Sequence, residues 1–255
     1  MSHEVDPSTP RSLIPLAGDT IDVWYVDPNT VAQAILDHWY AELLPANERK
    51  QCDRFLFEKD QRLCLVARAL LRSTLSRYRD IPVTGWRFGV GSHGKPYVLL
   101  PDNSQELQFN LSHTNGMVVC AVRRHQPVGI DVENTARRAP LDIAHNYFAP
   151  RECQDLSSLD ENDQPAAFFT YWTLKESYIK ARGLGLAIPL DAFAFRLDAC
   201  STPRIEFSEE LEDDPARWRF FLPDEIAAGY RVAVATMTDQ QTPTKLRIEK
   251  ADLQA

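Results

Sequence analysis

The chain predicts an α+β fold built in two halves, and three observations carry that reading. A helix-rich stretch followed by short strand-like runs occurs twice along the 255 residues. The seam between the two series falls near Pro127, dividing the chain into residues 1–127 and 128–255. No G-x-x-x-x-G-K-[ST] occurs, since Pro96 stands where its Ser or Thr would be, which removes the P-loop signature of nucleotide-binding parallel sheets. No sequence repeat accompanies the repeated order, so likeness of the halves is an expectation only.

In chain order, residues 1–19 are Pro-rich and polar, with little to order them. Ile21–Val26 is β-branched and aromatic and reads as a strand. Asn29 or Thr30 can cap a helix that Pro45 stops. From Asn47 to about Tyr78, Leu63, Val66, Ala67, Leu70, Leu71, Thr74 and Leu75 recur at helical spacing. The other face carries Arg62, Arg68, Arg72 and Arg79, as a solvated face would. Strand-like runs follow at Trp86–Phe88, Tyr97–Leu100, Leu107–Ser112, Met117–Val122 and Val128–Glu133, punctuated by Gly and Pro. Leu141–Phe148, Arg151–Leu159 and Asp163–Ala181 are helical, the last ended by Gly183 in a left-handed cap. Strands are expected at Phe193–Leu197, Arg204–Phe207, Trp218–Leu222 and Tyr230–Thr236, and the acids around Glu152–Asp163 and Glu206–Asp214 read as solvated surface.

Composition narrows the function. At 44% hydrophobic and 25% charged, the chain is that of an ordinary globular protein. No apolar run reaches the roughly 18 residues of a membrane helix, and the polar, acidic start is no signal peptide. Five cysteines without a C-x-x-C pair argue against a zinc site or a disulfide framework and fit a reducing cytoplasm. With 28 Lys and Arg against 36 Asp and Glu, the net charge of −8 speaks against a nucleic-acid binder. Glu48–Lys95 nevertheless holds 11 basic and 5 acidic residues, a local +6 suited to a small anionic ligand.

Four short motifs could carry chemistry. Gly94-Lys95-Pro96 is a turn with one point charge. Phe109-Asn-Leu-Ser112-His113-Thr places Ser112 and His113 on opposite strand faces, which excludes a serine–histidine dyad. Val128-Gly-Ile-Asp131-Val-Glu133 puts two carboxylates on one face of an apolar strand, a costly arrangement unless a cation joins them. Trp172, Glu176 and Lys180 share a helix face, and Glu176 could complete an all-oxygen Mg²⁺ site. Each motif alone has a plain structural reading: a turn, a packed histidine, a strand end, a surface ion pair.

In this order the four motifs together resemble the 4′-phosphopantetheinyl transferases of the surfactin-synthetase-activating type. The resemblance runs from about Pro45 to Tyr230. It implies a pseudo-dimer of two similar α/β halves, each a long helix on a small, mostly antiparallel sheet, with the active site at the seam. It implies that Asp131, Glu133 and Glu176 ligate Mg²⁺, and that Arg62, Gly94, Lys95, Pro96, Ser112, His113, Lys175 and Lys180 serve coenzyme A, with Glu176, Lys180 and His113 catalytic and Glu176 the candidate base. Where relatives of this type can carry two lysines for the 3′-phosphate, this chain has Glu48 and Gln51, with Arg49 and Lys50 between them. The activity implied is transfer of phosphopantetheine from coenzyme A to a serine of an acyl or peptidyl carrier protein, by a cytoplasmic monomer, with no nucleic acid or membrane as partner. A metal-dependent phosphodiesterase and a non-catalytic coenzyme A-binding module remain the alternatives.

Overall fold

The computed structural model describes residues 13–99, 106–197, 202–238 and 243–253. Most of the Pro-rich leader, Leu100 at the end of an expected strand, and Cys200 lie outside them. The elements in order are β1 (Thr20–Val26), α1 (Gln33–His38), α2 (Ala46–Cys52), α3 (Glu58–Leu75), β2 (Phe88–Val90), β3 (Pro96–Val98), β4 (Leu107–Thr114), β5 (Met117–Arg124), β6 (Val128–Asn134), α4 (Ala144–Tyr147), α5 (Pro150–Ser157), α6 (Gln164–Arg182), β7 (Phe193–Arg196), β8 (Arg204–Phe207), β9 (Trp218–Phe221), β10 (Tyr230–Met237) and β11 (Lys245–Lys250).

Each half is a long helix on a small sheet. In the first, α3 covers a sheet ordered β11-β1-β5-β4; in the second, α6 covers β6-β10-β9. Strand alternation sorts the side chains into three cores. Trp24, Val26, Cys120 and Val122 pack with α3, while Ala233, Ala235 and Phe220 pack with α6. The opposite faces meet: Ile21, Val23, Val119 and Ala121 of the first sheet join Ile130, Val132, Val232 and Val234 of the second. This inter-sheet core fixes the two halves against each other, because burying such apolar faces removes them from water.

The structure departs from the expectations in four places. The strand β11, counted with residues 128–255, pairs in parallel with β1 and completes the first half's sheet. Arg247 on β11 donates from Nε to Asp22 Oδ1 at 2.8 Å and from Nη2 to Oδ2, and Asp22 is wholly buried. The expected helix over 47–78 is broken, because Phe57 is extended and α2 folds back along α3. Glu48 thereby reaches Arg72 at 2.6 Å, whereas 24 helical residues would separate them by about 36 Å. Arg72 is accordingly 1% exposed rather than part of a solvated face. Glu152, read as surface, is fully buried. Among the described residues, no helix is long and apolar enough to cross a membrane.

Candidate functional site

The edge strands β4 and β6 run side by side at the seam, bridged by side chains. Asn110 Oδ1 accepts from the Ile130 amide at 2.8 Å, and Ser112 Oγ accepts from the Val132 amide at 3.4 Å. On β6, Ile130 and Val132 enter the inter-sheet core, so Asp131 and Glu133 turn the other way. Gly129 faces α6 with them. A Cβ there would lie 2.0 Å from the Ser177 carbonyl oxygen, and the missing side chain lets the helix approach. Along that helix Trp172, Glu176 and Lys180 are half-buried, one turn apart, while their neighbours Thr173, Lys175, Ser177, Ile179 and Ala181 are buried. Gly183 ends the helix with φ +68°, as expected.

Asp131 is the centre of the arrangement. Its Oδ1 accepts from Ser112 Oγ at 2.8 Å and from Lys180 Nζ at 2.5 Å, and Lys180 also donates to Ser112 Oγ at 3.1 Å. Its Oδ2 is buried with no hydrogen-bond partner. Burial pushes the Glu133 and Glu176 carboxyls above the ordinary carboxylate range, and the nearby Asp131 charge adds to both. Arg137, 3.0 Å from Glu133, opposes this at one, and Lys180 opposes it at the other. Among the described residues no three acidic, His or Cys side chains are drawn close enough to hold a metal ion as they stand. The Lys180 ammonium occupies Asp131 Oδ1 instead. The donor set nevertheless fits a hard cation: all ligands are oxygens, and an orphaned carboxylate oxygen is costly without a partner.

His113 leaves β4 on the face opposite Ser112 and opens onto a cleft of about 480 Å³, shared with Gln51, Arg54, Phe55, Cys64 and Arg68. Partial desolvation in the cleft and then the Lys180 ammonium hold its imidazole below its ordinary value. The imidazole is therefore mostly neutral at neutral pH.

Other expected contacts lie elsewhere. Lys175 is 0% exposed, ion-paired with Glu152 at 2.6 Å, and donates to the Leu190 and Phe193 carbonyls at 2.8 and 2.7 Å. It holds the second half's interior and does not line the cleft at His113. Arg62 spends its guanidinium on the Pro28 and Val31 carbonyls and on Gln33 Oε1, tying the loop after β1 to α3. Lys95 donates to the Val128 and Ala181 carbonyls at 3.1 and 3.0 Å, latching the Gly94-Lys95-Pro96 turn across the seam. Burial lowers its ammonium to about 8. None of Gly94, Lys95, Pro96 and Ser112 lines the cleft at His113. Glu48 is engaged by Arg72, and Gln51 accepts from Arg68 Nη2 at 2.5 Å. Sequence reasoning missed Arg68 and Asn110 as site residues. Asn110 was legible, because it shares a strand face with Ser112.

The seam thus sets Asp131 against Lys180, with Glu133 and Glu176 nearby, and the cleft at His113 gathers Arg54 and Arg68. Comparisons with known proteins supply the family. Residues 127–235 match the family model described as the 4′-phosphopantetheinyl transferase superfamily, and residues 34–125 match that of 4′-phosphopantetheinyl transferase, N-terminal. A 4′-phosphopantetheinyl transferase of Bacillus subtilis is 36% identical over 74% of this chain and 80% of its own length. The transferase Sfp of Bacillus subtilis strain 168 is 34% identical over 76% of this chain and 83% of its own length. The solved holo-[acyl-carrier-protein] synthase of Thermotoga maritima is 21% identical, with a TM-score of 0.36 over 44% of this chain and 62% of that one. The chain belongs to the 4′-phosphopantetheinyl transferase superfamily and is an enzyme of that class.

Proposed function

We propose that this enzyme transfers the 4′-phosphopantetheine group of coenzyme A to a serine hydroxyl of an acyl or peptidyl carrier protein, as a cytoplasmic monomer. The serine oxygen attacks the pantetheine-side phosphorus of the pyrophosphate. The bond to the other phosphate breaks, and adenosine 3′,5′-bisphosphate leaves. The observation that carries this reading is Asp131, with one oxygen held by Lys180 and Ser112 and the other buried without a partner.

Asp131, Glu133 and Glu176 would hold Mg²⁺. When bound, the ion supplies charge neutralisation at the pyrophosphate. His113 and Lys180 contribute fixed donors to the same phosphates, oriented before the reaction and therefore effective as charge develops. Glu176 takes the proton from the incoming serine, and its raised carboxyl is better matched to that task than an ordinary glutamate. The cleft lined by Arg54, Phe55, Arg68 and His113 receives the nucleotide, where two guanidinium groups stand in for the lysines absent at Glu48 and Gln51. Lys95 acts at one remove, holding the two halves in register.

The test is incubation of the protein with coenzyme A, Mg²⁺ and an apo carrier protein, followed by intact-mass measurement of the carrier. A gain of one phosphopantetheine group is expected. A carrier of unchanged mass, with enzyme shown to be folded, overturns the reading.

A further inference from the structure

The cleft below His113 has a pair of thiols in its wall. Cys52 ends α2 and Cys64 lies in the second turn of α3, 2% and 6% exposed. Their sulfurs are 2.7 Å apart and share a hydrogen bond. A disulfide bond is about 2.05 Å long, so closing it needs an approach of only about 0.7 Å. Cys64 faces the cleft, and Arg68 Nη1 donates to its sulfur at 2.9 Å. The two cysteines are 12 positions apart, and the segment between them supplies Arg54, Phe55, Asp60 and Leu63 to the cleft.

We propose that Cys52 and Cys64 form a reversible thiol–disulfide pair that braces this wall, with a small organic disulfide as oxidant. The Cys64 sulfur attacks one sulfur of RS–SR, the S–S bond breaks, and one RSH departs. The Cys52 sulfur then attacks the Cys64–SR bond and releases the second RSH. The protein loses two hydrogens, and the oxidant is reduced to two thiols. Accessibility divides the roles, since Cys64 meets the cleft and Cys52 sits behind it. Charge agrees: the Arg68 guanidinium donates to the Cys64 sulfur and favours its thiolate. The thiolate is the attacking form, and a neighbouring thiol resolves the mixed disulfide. Tying the two ends of the cleft-forming segment reduces the ordering that ligand binding requires.

The test exposes the full-length protein to 2-hydroxyethyl disulfide, quenches it in acid and maps peptides without reduction. A Cys52–Cys64 cross-linked peptide pair, two hydrogens lighter than the sum of its two free-thiol peptides, and full reversal by dithiothreitol are expected. Cys52→Ser should trap the 2-mercaptoethanol adduct on Cys64, and Cys64→Ser should leave Cys52 unmodified. Two free thiols in the wild type, under conditions that modify the half-buried Cys153, would overturn the pairing. So would a stable adduct on wild-type Cys64. The oxidised enzyme should show a lower KM for coenzyme A at unchanged kcat, and an unchanged KM with the bond formed overturns the brace. Only that readout rests on the coenzyme A reading, so the mass map separates failure of one from failure of the other.

Discussion

Replacing Lys175 by Met removes an ammonium from the interior of the second half and leaves Glu152 there alone. Glu152 would keep the Phe195 and Ala149 amides at 2.8 and 2.9 Å, but the Leu190 and Phe193 carbonyls would lose their donor. Removing one member of a buried ion pair costs about 3–5 kcal/mol, because the remaining charge stays uncompensated. An unfolding entropy of about 2.1 cal/mol/K per residue gives about 0.54 kcal/mol/K for the 255-residue chain, so about 4 kcal/mol lowers Tm by about 7 °C. Differential scanning calorimetry on Lys175→Met should show that drop, and Glu152→Gln combined with Lys175→Met should recover much of it. Steady-state kinetics below both transitions should leave KM for coenzyme A within about twofold of wild type. An unchanged Tm with a raised KM would refute the structural assignment and return Lys175 to the ligand.

Asp131→Ala should abolish Mg²⁺-dependent transfer while the protein stays folded; a variant that keeps both its rate and its Mg²⁺ dependence would disprove the metal-ligand role. His113→Ala should raise KM for coenzyme A by about 10–150-fold, the equivalent of about 1.5–3 kcal/mol for a charge-assisted phosphate contact, and an unaltered KM would count against that contact. Lys95 gives a pH signature. Its folded value of about 8 lies below the unfolded value of about 10.4, so its burial penalty is present below pH 8 and is relieved as pH rises through that window. Urea unfolding should therefore show wild type gaining on Lys95→Met between about pH 8 and 10.4, and a flat difference would contradict it. Gly129→Ala should destabilise by more than about 1 kcal/mol, since its Cβ would fall 2.0 Å from Ser177 O and 2.4 Å from Ala181 N; a melting curve matching wild type would mean that α6 can shift away.

Much of the site was legible because alternation and helical spacing are local. Asp131 and Glu133 two apart on a strand must share a face, and Trp172, Glu176 and Lys180 must share another. The structure turns those two faces toward each other. The separation of Ser112 from His113 was equally readable: one reaches Asp131, the other the cleft. The errors have a common form. Arg72, Glu152 and Lys175 were charged residues in polar-looking sequence, and each found an interior partner from a remote segment. Lys95, quoted for its charge, meets two carbonyls 33 and 86 residues away. No window of sequence contains such pairs.

Most element types, the two-half order and the four chemical motifs are consequences of period-2 and period-3.6 spacing and of residue chemistry, and are readable from the sequence alone. Only the tertiary structure decided that the last strand closes the first half's sheet, that α2 folds back on α3, and that two thiols 12 residues apart meet beneath His113. Those outcomes depend on which apolar faces bury one another, a global minimisation of exposed surface to which each segment contributes and which none of them specifies alone.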